Sequence, residues 1–126
     1  MCSNKHLVSI IIPTRNRKEK LISLLRSLFE SNYPKNKLEI IVVDDASTDG
    51  TSEYIERVFP QVRVIRNDER KLLAESRNIG IRASRGKYVF LIDDDNVLHK
   101  NTIRELVDFM EKHPQVGVAG PIMYFF

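Results

Sequence analysis

A chain of 126 residues is long enough for one domain with its own core and too short to be read as several. With 42% apolar residues it is globular rather than disordered, and a net charge of +3 carried by scattered basic residues does not argue for nucleic-acid binding. The one cysteine, Cys2, excludes an internal disulfide, no Cys/His cluster has zinc spacing, and no stretch approaches the ~18 apolar residues of a membrane span. The opening Met-Cys-Ser-Asn-Lys-His has no apolar run before a cleavage site. The expected setting is therefore cytoplasmic, with peripheral membrane contact left open.

Residues 7–12 are a short β-branched run closed by Pro13, which predicts a buried strand and then a polar loop, Thr14-Arg15-Asn16-Arg17. Leu21, Ile22, Leu24, Leu25, Leu28 and Phe29 have the spacing of a helix with one buried face, stopped at Asn32-Tyr33-Pro34. Residues 38–43 predict a second strand, ending in Asp44-Asp45 and a loop of turn formers through Thr51. A helix with Tyr54, Ile55, Val58 and Phe59 on one face follows, then a third strand over 62–65. Residues 72–84 predict a third helix, with Asn78 and Gly80 inside it at a propensity cost and Gly86 as its C-cap. A fourth strand over 88–92 runs into Asp93-Asp94-Asp95. Thr102 and Glu105 have capping-box spacing for a fourth helix ending at His113-Pro114. Residues 116–119 and 122–126 predict a fifth strand, interrupted by Gly120-Pro121 and ending in bare aromatics. An edge of that kind offers a route to self-association, or marks a chain cut inside a larger protein; the alternative is a final strand buried in the sheet centre.

Alternating strands and amphipathic helices indicate an α/β fold, a three-layer α/β/α arrangement around a mostly parallel sheet. In such sheets ligands bind at the carboxyl ends of the strands, where strand order reverses. Thr14 to Arg17, Asp44-Asp45 and Asp93 to Asp95 all meet that rule, provided the fourth strand lies beside the first on the side away from the second.

Three adjacent carboxylates repel one another, and a hard divalent cation, Mg2+ or Mn2+, is the simplest relief. The competing reading is a polar turn whose Asp side chains cap backbone groups. On an extended backbone Asp93 and Asp95 point together and Asp94 away. A cation there bridges protein anions to a substrate diphosphate and stabilises it as a leaving group. Asp44 and Asp45 are placed to read an N–H on a nucleobase or to cap the following helix, with capping assigned to Asp49. Arg15 and Arg17 read equally as phosphate-pairing groups or a solvated helix entry. Arg77 is placed toward the crevice in preference to Arg82. His99 lies close enough in sequence to be tested against the metal. Ser-His-Asp, P-loop and dinucleotide fingerprints are missing from the sequence.

These segments resemble, in order, the family 2 glycosyltransferases of GT-A fold. Residues 8–17 resemble the family's opening strand and loop, and residues 42–51, V-V-D-D-A-S-T-D-G-T, its V-D-D-x-S-x-D-G-T motif. Ser76-Arg77-Asn78-Ile79-Gly80 is similar to A-R-N-x-G, and Arg85-Gly86-Lys87-Tyr88 leading to Asp93-Asp94-Asp95 is similar to the strand that carries the D-x-D motif. The resemblance implies a Rossmann-like GT-A fold and a UDP- or GDP-sugar as donor, with Pro13, Thr14 and Arg15 lining the base and ribose pocket and Arg17 among the donor-binding residues. Asp45 would contact the base with Asp44 close by, and Arg77 would lie near the diphosphate. Asp95, with Asp93, would take Mn2+ or Mg2+, while Asp93 and Asp94 lie nearer ribose and sugar. The implied reaction is inverting transfer to a glycan, lipid or protein acceptor.

Two departures stand out. The family often carries a glycine before A-R-N, whereas residues 68–73, Asp-Glu-Arg-Lys-Leu-Leu, have none. The family's catalytic base and acceptor segment come later in the chain, so residues 1–126 are expected to be a donor-binding domain without the base. The alternatives are a catalytically incomplete nucleotide-binding or assembly module, and a receiver-type domain. The latter is disfavoured because the first strand ends in Pro-Thr-Arg rather than in acids.

Overall fold

The computed structural model describes residues 6–123. The two β-branched runs become β1 (Val8–Thr14) and β2 (Leu38–Asp44), joined in parallel with Ile10 opposite Ile40 and Thr14 opposite Asp44. Two short parallel strands flank them: β3 (Arg63–Arg66) beside β2, and β4 (Tyr88–Leu91) beside β1. The order β3-β2-β1-β4 meets the condition that the fourth strand lie beside the first, away from the second. β1 is buried along its whole length, which is why it reads as unbroken hydrophobicity rather than alternation.

The helices are α1 (Lys18–Phe29), α2 (Thr51–Val58), α3 (Leu72–Ala83) and α4 (Thr102–Lys112). Period-two alternation along the strands divides the core between the sheet's faces. Ile10, Ile12, Ile40 and Val42 pack with Leu21, Leu24, Leu25 and Leu28 of α1, Ile55 of α2, and Ile103 and Val107 of α4. Ile11, Ile41 and Val43 pack on the other face under Ile79 and Ala83 of α3. Three layers result, with α3 alone on its side among the described helices. Gly80 explains its own propensity cost, since a Cβ there would collide with Ile11 and press on Val43. Among the described residues no helix is long and apolar enough to cross a membrane.

Several local expectations are corrected. β1 runs through Pro13 to Thr14. Ile11 accepts from Ile92 on the β4 side and Thr14 from Asp45 on the β2 side, so Pro13 faces the β4 side, where pairing ends at Leu91. Its missing N–H therefore costs no ladder bond. α3 ends on an extended Ser84 and not on a glycine. Gly86 serves close approach instead, because a Cβ would lie 2.8 Å from both Leu7 O and Ser9 N. Thr102 is already the first residue of α4, and its N-cap Asn101 is uncapped by any side chain, so the capping box does not form. Val58 is 43% exposed and leaves the buried face of α2 to Ile55 and Phe59. No strand forms over 116–119 or 122–123, and Val118, Ile122 and Met123 are exposed. β-branched composition does not make a strand without a partner backbone. The remainder of that expected strand, 124–126, lies outside the described residues, as does Cys2.

Candidate functional site

The chain reaches β4 last and sets it on the opposite side of β1 from β2, so strand order reverses between β1 and β4. At the carboxyl end of that junction an open cleft of about 630 Å³ is lined by Pro13, Thr14, Arg15, Arg17, Asp45 and Asp93 to Asp95, together with Arg70, Leu72, Leu73 and Ser76. Asp44 does not line it. Arg77 reaches the rim through an ion pair with Asp93, 2.8 Å, while Arg82 pairs with Glu75 in solvent. His99 belongs to a different cavity and accepts from Asn101 N–H at 3.1 Å.

The three carboxylates enter the cleft on a turn, not on extended backbone: Asn96 N–H donates to Asp93 O at 3.3 Å. Exposure still alternates. Asp93 and Asp95 side chains are 52% and 47% exposed, while Asp94 is buried against β1 and accepts from Thr14 Oγ1 at 2.8 Å. Arg17 lies 3.3 Å from Asp94 and 3.7 Å from Asp95. Repulsion among the acids is thus relieved by two guanidinium groups, those of Arg17 and Arg77, whose fixed charge the sequence reading assigned to a cation. Burial pushes the Asp94 carboxyl above the usual range, opposed by the Thr14 hydroxyl and Arg17 and reinforced by Asp95. Among the described residues no group of three or more His, Cys, Asp or Glu is arranged to hold a metal. Asp93 and Asp95 nevertheless offer hard oxygen ligands open to the cleft, which suits a cation whose other ligands come from phosphate and water.

Asp44 and Asp45 part company because successive side chains leave a strand on opposite sides. Asp44, fully buried, accepts from Ser47 N–H at 3.0 Å, from Ser52 Oγ and from Arg66 at 3.2 Å. It fixes the loop after β2 and the start of α2, beneath the cleft. Asp45 faces the cleft, and its carboxylate accepts from Asn67 Nδ2 at 2.9 Å, Lys71 N–H at 2.7 Å and Leu72 N–H at 2.9 Å. Burial alone would raise its pKa; these donors and the nearby Arg70 hold it below the ordinary value. Asn67 also donates to Ser76 Oγ at 3.2 Å, tying α3 to the same corner.

The loops after β1 and β2 are laced together. Asn16 N–H donates to Ser47 Oγ at 2.9 Å and Thr48 N–H to Asn16 Oδ1 at 2.7 Å. Asp49 accepts from Thr51 N–H at 3.1 Å and from Lys18 N–H at 3.3 Å, so one carboxylate serves the first turns of both α1 and α2. The left-handed φ of 80° at Gly50 turns the chain into α2 beside it.

Sequence reasoning missed Arg70, Leu72, Leu73, Ser76 and Asn67. Leu72 and Leu73 read as the start of the third helix; they are 58% and 49% exposed, and Leu72 has a left-handed φ of 73°. The signal available was the missing glycine: this is the stretch where the resembling family often carries one.

The family model described as glycosyl transferase family 2 matches residues 9–126. An uncharacterized glycosyltransferase of Haemophilus influenzae is 34% identical over 111 residues, covering 88% of this chain and 37% of that protein. The mannosyltransferase PcManGT of Pyrobaculum calidifontis, solved in complex with GDP-Man and Mn2+, superposes with a TM-score of 0.79 at 30% identity, over 86% of this chain and 33% of that one. Staphylococcus aureus TarS 1–349 in complex with UDP-GlcNAc matches with a TM-score of 0.79 at 29% identity, over 86% of this chain and 32% of that one. The chain spans about a third of the length of these proteins.

Proposed function

The chain belongs to glycosyl transferase family 2, and from that premise we propose that it forms the donor site of a metal-dependent, inverting glycosyltransferase that takes a nucleotide-diphosphate sugar. The observation that carries this reading is the set of carboxylates Asp93 to Asp95, bracketed by Arg17 and Arg77 at the junction of β1 and β4. The neighbours bound to GDP-Man with Mn2+ and to UDP-GlcNAc support it.

In this reading Asp45, with Asn67 beside it, meets the base, and Pro13, Thr14 and Arg15 line the ribose end. Thr14 and Arg17 hold Asp94 in one orientation toward ribose and sugar. Arg77, paired with Asp93, supplies positive charge toward the diphosphate. Asp95, with Asp93, would hold Mn2+ or Mg2+, which when bound adds charge stabilisation at the departing diphosphate. A new C–O bond forms from the acceptor hydroxyl to the anomeric carbon, opposite the bond to the diphosphate. That bond breaks with its electron pair leaving on phosphate oxygen, and the hydroxyl proton goes to a base. The three carboxylates are assigned to donor and metal and none to that proton; residues 1–126 act as the donor-binding part.

Calorimetric titration with UDP, GDP, UDP-GlcNAc and GDP-Man, each with and without Mn2+, tests this. At least one nucleotide is expected to bind about tenfold or more tightly with metal, and Asp95→Ala to remove the metal increment while leaving metal-free binding in place. Heats that ignore both nucleotide and metal would overturn the reading.

A further inference from the structure

We infer that residues 67–73 form a strap that closes the base end of the cleft and exchanges hydrogen bonds for those of the nucleobase when a nucleotide enters. The inference rests on the donor-site reading above and adds to it a conformational step. Asp45 is the cleft carboxylate best placed to accept from a base N–H, yet it is 5% exposed. What covers it is the strap. Asn67 Nδ2 and Lys71 N–H share Oδ1, and Leu72 N–H takes Oδ2. A carboxylate has about four acceptor positions, and the strap's three donors take three of them across both oxygens. One position is left to a ring that enters with the strap closed, and a second opens to it when the Lys71–Leu72 peptide moves.

The closed strap is strained. Lys71, at φ −112° and ψ −6°, aims its own N–H and that of Leu72 together at Asp45, and continuing from that peptide plane into α3 leaves Leu72 at φ of 73°, a region that branched residues avoid and glycine accepts. The same geometry throws the Leu72 side chain outward to 58% exposure. Strain held in the closed form lowers the cost of opening, so binding to Asp45 relieves at Leu72 what it loses at the Lys71 and Leu72 amides. At the far end the strap is anchored outside the cleft contact, where Asn67 N–H donates to Asp44 O at 2.9 Å. The moving part is therefore the stretch from Asp68 to Leu73.

The test is amide hydrogen exchange by NMR on the whole chain, free and with saturating UDP or GDP and Mn2+, alongside calorimetry. Expected is slow exchange at Lys71 and Leu72 in the free protein and at least tenfold faster exchange there with nucleotide bound, while Asn67 stays protected. Leu72→Gly, which removes the strain from the closed form, is expected to weaken nucleotide binding about fivefold. Nucleotide binding that leaves both amides as protected as before, or a Leu72→Gly variant that binds as tightly or more tightly, overturns the strap and spares the donor site. Absence of any nucleotide binding overturns the donor site and the strap with it.

Discussion

Gly86→Ala should cost this fold about 2–3 kcal/mol, although the substitution adds one methyl group and sits outside every helix and strand. The added Cβ would lie 2.7 Å from Ser9 Oγ and 2.8 Å from Leu7 O and Ser9 N. Carbon needs roughly 3.2 Å or more from such atoms, so about half an ångström of separation is required. Two of the three obstructing atoms belong to the β1 backbone and its approach, which cannot swing aside. The same movement stretches Gly86 N–H to Ser9 Oγ and Lys87 N–H to Leu7 O, each 2.9 Å. Loss of part of both bonds at ~1 kcal/mol each, with ~1–2 kcal/mol of overpacking, is offset by ~0.5 kcal/mol from the stiffer unfolded chain. Equilibrium urea unfolding followed by circular dichroism measures the difference. Gly117→Ala is the control, since its Cβ meets nothing within 4 Å, and it should change stability by less than ~0.5 kcal/mol. A Gly86→Ala variant as stable as that control would refute the argument that close approach, and not backbone freedom, demands glycine here.

Asp44→Asn should lower stability by about 2–3 kcal/mol, because an amide cannot accept from Ser47, Ser52 and Arg66 together. Nucleotide affinity measured by calorimetry well below the unfolding transition should stay within about twofold; a selective loss of affinity would return Asp44 to the cleft. Asp94→Asn should remove a pH dependence that the parent protein shows. Burial raises the folded-state pKa of Asp94, so the fold binds that proton more tightly than the unfolded chain. The parent should gain stability relative to the variant as pH falls through the raised value, levelling off below the ordinary carboxylate value of about 3.9. Asp45 and Asp49, whose pKa values are depressed, act in the opposite sense and lose their contribution as pH falls through those lower values, but they do so in both proteins and cancel. A difference that is flat in urea unfolding between pH 4 and 8 would refute burial as the leading cause.

The strands and the crevice were legible because burial on both faces leaves an unmistakable trace. β1 and β2 are β-branched runs that end in polar residues, and the placement of three polar clusters at strand ends needs only chain order and the parallel rule. What was illegible depends on direction and on partners. Asp44 and Asp45 look like a pair in sequence and are separated by the pleat, one beneath the cleft and one in it. Arg17 and Arg77 are remote in sequence from the acids they neutralise, so charge balance within residues 93–95 made a metal the simplest relief, beside a polar capping turn. Leu72 has helical neighbours and helical composition, and only its φ shows that it is not yet in the helix's geometry. Residues 116–119 have strand composition, but pairing is a property of two segments and composition belongs to one.

The lacing of the loops after β1 and β2 by Asn16, Ser47, Thr48 and Asp49 makes the two sides of the cleft mechanically unlike. One wall behaves as an anvil: Lys18 and Thr51 cannot shift apart without releasing the same Asp49 carboxylate. Its backbone is ordered during folding, so an arriving ligand need not order that backbone again. Compliance is left to the strap, since Thr14 and Arg17 tie the turn bearing Asp94 and Asp95 to the loop after β1. Enlarging or reshaping what this cleft accepts is therefore a matter of editing residues 68–73, with the anvil left untouched as the fixed reference against which any new ligand is gauged.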